Sequence, residues 1–272
     1  MKKTLLIVVS GFNLLFSNPP DTTRQWNLIW CDEFRDNNLD TSWIIDTMPW
    51  NMGYNARSNV KVDSGNLIIE SYLDSSYRKR SGYISNTREF KYGFFEIKCS
   101  YDLTMWPCFW LLPPNVSSLR YVDINKDEAK TSGTEIDIME HYNSRTSHQA
   151  NIWHYSPTLI EDFACQTYSI SSQNVYGLEW GPTYYKFYVN GELKGTIDTH
   201  VSHQPQFVIV SSEPGPGPTG DYSSRVDYTG HYKENPLSFK VDYVRVWYPT
   251  NGYSEPDTKG DVSTIINSYI IF

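Results

Sequence analysis

The sequence predicts an all-β domain, and three observations carry that expectation. Short segments with strand character recur along the chain, each bounded by Gly, Pro, Asn, Asp or Ser. No stretch of roughly twelve residues or more keeps a helical period of apolar side chains. Aromatic residues, which favour half-buried pleated surfaces, make up 15% of the 272 residues, with nine Trp and 21 Tyr. Many short strands joined by turns imply a sandwich or a barrel. The length suffices for one large domain with a full core.

The elements follow in chain order. In residues 1–17, Lys2 and Lys3 precede an apolar stretch from Leu5 to Phe16. That is the pattern of an export signal, and it is too short to span a bilayer comfortably. Residues 18–24 form a Pro-containing lead. Val60 and Val62, turn residues at 63–66, and then Leu67, Ile68 and Ile69 read as a hairpin. Phe95, Ile97 and Cys99 alternate with Glu96 and Lys98, the period of a strand with one buried face. Residues 184–189 run into Asn190 and Gly191, the strongest short hairpin signal. Residues 211–236, rich in Gly, Pro and Tyr, read as a long loop near one end of a site. Residues 250–272 are polar before an apolar end, and read as an added strand or a tail.

Formal net charge is −8, and −10 once Lys2 and Lys3 leave with the signal. An acidic surface excludes nucleic acid as a partner, because phosphates demand a basic footprint. It fits anionic lipid equally poorly, and no other segment approaches a membrane span. A secreted or cell-surface monomer is expected. The four cysteines, Cys31, Cys99, Cys108 and Cys165, lack the spacing of a metal site. Export permits disulfides, so Cys99 paired with Cys108 stands beside the alternative of buried, unpaired thiols.

The most informative segment is residues 133–142. Glu135, Asp137 and Glu140 are separated by apolar residues in an alternating, strand-like pattern. Glu135 and Asp137, two apart, share a face. Glu140 is out of phase by one residue, and a single bulge at Ile138 and Met139 returns it to that face. Like charges so close repel, which drives their proton affinities apart. Glycosidic bond cleavage uses such a row: one ionised carboxylate as nucleophile, and a second, protonated carboxyl as acid and then base. A solvated acidic strand or a cation site is the plainer alternative.

Glu-Ile-Asp-Ile-Met-Glu at 135–140 resembles the Glu-x-Asp-x-x-Glu signature of glycoside hydrolase family 16, whose members include laminarinases, mixed-linkage β-glucanases, agarases and carrageenases. Further blocks resemble the family in the same order: residues 28–34 with 39–43, 92–98, 106–112, 175–180 with 187–191, and 241–247. The resemblance implies a two-sheet antiparallel β-jelly-roll sandwich with a concave substrate cleft. It covers a catalytic domain, 24–249, which follows the signal 1–17 and precedes a C-terminal extension, 250–272, that the resemblance does not explain. Glu135 is the implied nucleophile, Glu140 the acid and base, and Asp137 their assistant. Trp106 and Trp110 match cleft tryptophans that stack on sugars. Trp153 and His154 match a His-Trp pair, in inverted order. Asn55 matches half of a sugar-binding Asn-Glu pair; Ala56 stands where the Glu falls, which sets this chain apart from an ordinary laminarinase. Arg57 and Arg88 are exposed candidates for a sulfated galactan. Glu33, Gly65 and Asp242 match positions from which relatives bind one structural calcium. No cofactor is expected for catalysis. The resemblance implies a secreted retaining endo-β-glycosidase acting on a β-1,3- or mixed-linkage glucan. A marine galactan such as agar, porphyran or carrageenan is the second substrate class, and a non-catalytic glycan-binding jelly roll the rival reading.

Overall fold

The computed structural model describes residues 19–50, 53–114, 133–141, 148–155, 159–167, 173–215 and 226–253; for Trp50 and residues 148–149, 153–155 and 159–167 it describes the backbone alone. The segment expected to be an export signal and most of the expected C-terminal extension lie outside the described residues. Within them the chain forms β1 (Trp26–Asp32), β2 (Trp43–Ile45), β3 (Pro49–Trp50), β4 (Gly53–Asn55), β5 (Val60–Asp63), β6 (Asn66–Leu73), β7 (Lys79–Ser81), β8 (Tyr83–Phe90) and β9 (Gly93–Tyr101). It continues through β10 (Pro107–Leu112), β11 (Glu135–His141), β12 (His148–Tyr155), β13 (Leu159–Thr167), β14 (Asn174–Gly181), β15 (Tyr184–Val189), β16 (Glu192–Ile197), β17 (Gln206–Ser212) and β18 (Leu237–Pro249). The sole helical piece among the described residues is a 3-10 turn at Arg57–Asn59.

Two sheets result. The larger runs β16-β15-β14-β9-β18-β6-β7-β4-β3, with β1 added on β18 and β5 on β6. The smaller runs β13-β12-β11-β10-β17-β8-β2. The strand pairings are antiparallel apart from β4 with β7. Strands far apart in sequence become neighbours, β9 beside β18 and β10 beside β17, which is the connectivity of a jelly roll. Both expected hairpins form. Ser64 and Gly65 take positive φ between β5 and β6, and Asn190 and Gly191 do so between β15 and β16. Two successive left-handed residues make the turn whose twist matches the strands it joins.

Alternation sends one face of each sheet inward. Phe95, Ile97 and Cys99 from β9, Leu178 and Trp180 from β14, and Val244 and Val246 from β18 meet Phe109 and Leu111 from β10, Ile136 from β11, Ile152 from β12 and Val208 and Val210 from β17 in one fully buried cluster. Burying each large side chain stabilises the fold by about 1.5–3 kcal/mol. Cys99 and Cys108 are both free thiols. The pairing considered from the sequence fails because β9 and β10 belong to different sheets.

The long segment after β17 differs from the expected loop at its start and end. Ser211 and Ser212 are the last residues of β17, and Glu213 is tied back to the entry of β10 by its amide, which donates to the Trp106 carbonyl at 2.8 Å. Residues 216–225 lie outside the described residues. Beyond them Val226 and Tyr228 are buried, and the Tyr228 hydroxyl donates to the Pro214 carbonyl at 3.0 Å.

Candidate active site

The acid row lies on β11, in the middle of the smaller sheet, flanked by β10 and β12. Ile136 enters the core, so Glu135 and Asp137 point to the sheet's outer face. The expected bulge is present. Cys108 and Phe109 of β10 face Glu140 and Met139, whereas the next residue, Trp110, faces Asp137. On the other side Asn151 faces Asp137 and Gln149 faces Glu140. One extra residue of β11 is thus accommodated between Asp137 and Glu140 against both neighbours, and it returns Glu140 to the face of the other two acids.

Register then assembles a polar floor. One row runs from Glu140 to Cys108 of β10, Ser211 of β17 and Tyr83 of β8. The next runs from Asn151 through Asp137 and Trp110 to Ile209 and Ser85. Glu135 is half-buried, while Asp137 and Glu140 are buried. Hydrogen bonds from neutral donors hold the two buried acids. The Asn151 amide Nδ2 donates to Asp137 Oδ2 at 3.0 Å, and the Trp106 indole Nε1 donates to Glu140 Oε1 at 3.0 Å. A further chain runs from Trp110 Nε1 to Ser211 Oγ at 3.1 Å, and from that hydroxyl to Glu213 Oε1 at 3.1 Å.

The field of these acids is felt by their neighbours. Burial, and then Glu140, Glu213, Asp137 and Glu135, push the Cys108 thiol well above its ordinary range. Burial and the charges of Asp46, Glu213 and Glu135 do the same to the Tyr83 hydroxyl. Asp46 itself is raised by burial, against a hydrogen bond from Ser85.

Of the other residues singled out in the sequence, some come together and some do not. Trp106 and Trp110 both reach the floor, but their rings are largely buried and act as hydrogen-bond donors there. Backbone register sets Trp153 opposite Glu135 and His154 opposite Ile160; their side chains lie outside what is described. Asn55 on β4 is 1% exposed, and neither of its side-chain amide atoms has a partner among the described residues. Arg57 is exposed on the 3-10 turn. Arg88 is exposed on β8, three strands from β11, or roughly 14 Å at the usual strand spacing. Sequence reasoning missed Cys108, Asn151, Ser211, Glu213 and Tyr83. Cys108 alone carried a local signal, lying between two cleft tryptophans at strand spacing; the others reach the site only through long-range pairing.

This geometry agrees with the sequence comparisons. The profile of Glycosyl hydrolases family 16 matches residues 47–230. The chain belongs to this family. Among characterised relatives of this family 16 chain is a keratan-sulfate endo-1,4-beta-galactosidase of Sphingobacterium multivorum, 24% identical over 253 residues, 83% of this chain and 56% of that protein. A beta-glucanase of Rhodothermus marinus is 28% identical over 234 residues, 71% of this chain and 73% of that protein. This family 16 chain thus spans little more than half the length of the galactosidase. Among solved structures, the catalytic domain of an endo-1,3-beta-glucanase (laminarinase) from Thermotoga petrophila superposes with TM-score 0.66 at 21% identity, covering 84% of this chain and all of that one. That likeness establishes the jelly-roll fold.

The residues expected to hold the family's calcium do not fit it. Arg245 binds Glu33 through two nitrogens, at 2.8 and 3.1 Å, and Lys98 meets Asp242 at 2.7 Å. Calcium needs six to eight oxygens, and here the two carboxylates of the trio are matched to cations of the chain itself. No cluster of three His, Cys, Asp or Glu suited to a metal is found among the described residues.

Proposed function

We propose that this family 16 hydrolase is a secreted, retaining endo-β-glycosidase, with a β-1,3- or mixed-linkage glucan as its leading substrate. The single observation that carries the mechanism is the bulge between Asp137 and Glu140, which gathers three carboxylates on one face. In this reading Glu135 attacks the anomeric carbon, the bond to the leaving oxygen breaks, and Glu140 delivers a proton to that oxygen. Glu140 then takes a proton from water as the water displaces Glu135 and frees the sugar. Asp137, held by Asn151, shares a proton or hydrogen bond with Glu135 and keeps it oriented. Trp106 fixes one oxygen of Glu140. The buried, unpartnered amide of Asn55 is a ready site for a sugar hydroxyl, since a buried polar group without a partner is costly until something binds it. The apolar stretch after Lys2 and Lys3 supports export.

A second substrate class, a β-galactoside chain such as agar, porphyran, carrageenan or keratan sulfate, is favoured by Ala56 and by the galactosidase relative. Reducing-end release from laminarin, lichenan, agarose, porphyran, carrageenans and keratan sulfate separates the two. Release from laminarin or lichenan alone supports the glucan reading. Release from galactans alone replaces it with the second class. Binding with no release from any of them overturns the enzymatic mechanism in favour of a glycan-binding jelly roll. Proton NMR of fresh product tests retention: a β-anomer first is expected, and an α-anomer first rules out double displacement.

A further inference from the structure

Cys108 lies directly opposite Glu140 across the β10–β11 ladder. Its Sγ is 3.8 Å from Glu140 Oε1, the oxygen that also accepts from Trp106 Nε1. The same sulfur is 3.8 Å from the Trp106 carbonyl oxygen. The thiol is 3% exposed, so water does not compete freely for its proton. One S–H therefore has two acceptors at equal reach, and one of them changes charge during the reaction proposed above.

We propose that Cys108 is a positioning residue for Glu140, a rotating donor whose S–H turns to Glu140 when that carboxylate is ionised and to the Trp106 carbonyl when it is protonated. The inference rests on the reading of Glu140 as acid and base. An ionised oxygen is the stronger acceptor, so the thiol proton follows the charge. No bond to sulfur forms or breaks; the proton stays on sulfur and only the S–H direction changes. Burial and the surrounding acids keep the thiol protonated, the state a donor requires. A weak, rotatable donor suits a group that must both release and accept a proton, because it adds little cost to either state. Serine in this position would bind the carboxylate more strongly, and alanine would not bind it at all. The other titratable groups facing this pair are Glu135 and Asp137 on β11, Glu213 beyond β17 and Tyr83 on β8.

The first test needs no substrate. Difference infrared spectra of wild type against Cys108→Ala isolate the S–H stretching band of Cys108 from those of Cys31, Cys99 and Cys165. The band should shift across a pH titration in the wild type and stay still in Glu140→Gln, which has no charge to follow. A band that does not move in the wild type overturns the proposal.

The second test uses kcat/KM on laminarin, or on keratan sulfate if laminarin is not cleaved. Without the donor the ionised form of Glu140 loses support. The alkaline limb should therefore move up by about half a pH unit in Cys108→Ala, roughly threefold in the ionisation constant, and down in Cys108→Ser. Limbs that superimpose in all three proteins overturn the role. A Glu140→Ala enzyme of undiminished activity would instead overturn the reading of Glu140 itself, which keeps the two failures distinct.

Discussion

The two sheets treat their outward carboxylates in opposite ways. On the larger sheet three largely buried, outward acids meet cations. Glu33 and Glu96 share Arg245, and Glu179 lies within 3.8 Å of both Arg24 and Lys186. On the smaller sheet the described partners are neutral: Asn151 for Asp137, Trp106 and Cys108 for Glu140, Ser211 for Glu213 and Ser85 for Asp46. On the larger sheet those cations tie their carboxylates into the fold. On the smaller sheet amide, indole and hydroxyl donors orient the carboxylates through hydrogen bonds. The difference separates acids that hold the sandwich together from acids that are available for chemistry.

Substitutions on either side can break that division. The largest effect is expected from Glu135→Gln, which keeps shape and removes the nucleophile's charge. Activity should fall by several orders of magnitude with an unchanged circular dichroism spectrum. Retention of more than a few per cent of activity would place the nucleophile elsewhere. Asp137→Asn should lower kcat by roughly two to three orders of magnitude while KM changes little, since the residue acts on the chemistry rather than on binding. The acidic limb of the pH–rate profile should also be displaced. Near-normal turnover with an unmoved limb would reduce Asp137 to packing.

On the larger sheet the expected losses are of stability. Arg245→Met leaves Glu96, 7% exposed, without its cation, and leaves Glu33, 15% exposed, with only the exposed Arg35 at 3.5 Å. The cost should be about 3 kcal/mol, at the low end for a broken buried pair because Glu33 is partly solvated. Thermal unfolding should then fall by roughly 6–12 °C for a domain of this size, with kcat within twofold of the parent. A collapse of kcat in a folded protein would show that the two faces are coupled after all.

The smallest effect is expected from Glu96→Gln, and it carries a sign. Burial raises Glu96, opposed by a hydrogen bond from Tyr243 and by Arg245. A carboxyl raised in the folded state costs stability as pH rises through its folded pKa, and costs none below its unfolded value, about 4.3. Gln does not titrate. The variant should gain slightly over the parent in melting temperature at pH 7, and the gain should vanish below pH 4. A gain confined to low pH would mean that Arg245 outweighs burial at this position.

The fold was largely legible because its signals are local. The pairs Ser64-Gly65 and Asn190-Gly191 name their own turns, and the alternation of Phe95, Ile97 and Cys99 with Glu96 names its own faces. The acid row was legible for the same reason, down to the bulge that three acids at spacings of two and three demand. What supports the row was not. Asn151 and Ser211 reach it through strand pairings that no spacing along the chain encodes. The Cys99–Cys108 pairing failed for a related reason: it joined residues close in the chain, while the fold set them in different sheets.

The bulge on β11 also limits how this site can change. Upstream, Ile136 is anchored in the core; downstream, His141 is fully buried, with Nε2 2.9 Å from the Leu103 carbonyl oxygen and its ring 5.0 Å from that of Tyr101. Both ends are pinned, so the separation of Asp137 from Glu140 does not vary smoothly. It is quantised in whole residues. Deleting Ile138 would restore perfect alternation and remove the bulge with Glu140 still on the face of Glu135 and Asp137, at the cost of a buried core side chain. Drift can tune the donors around these acids one atom at a time, but their spacing changes only by a jump that costs the core.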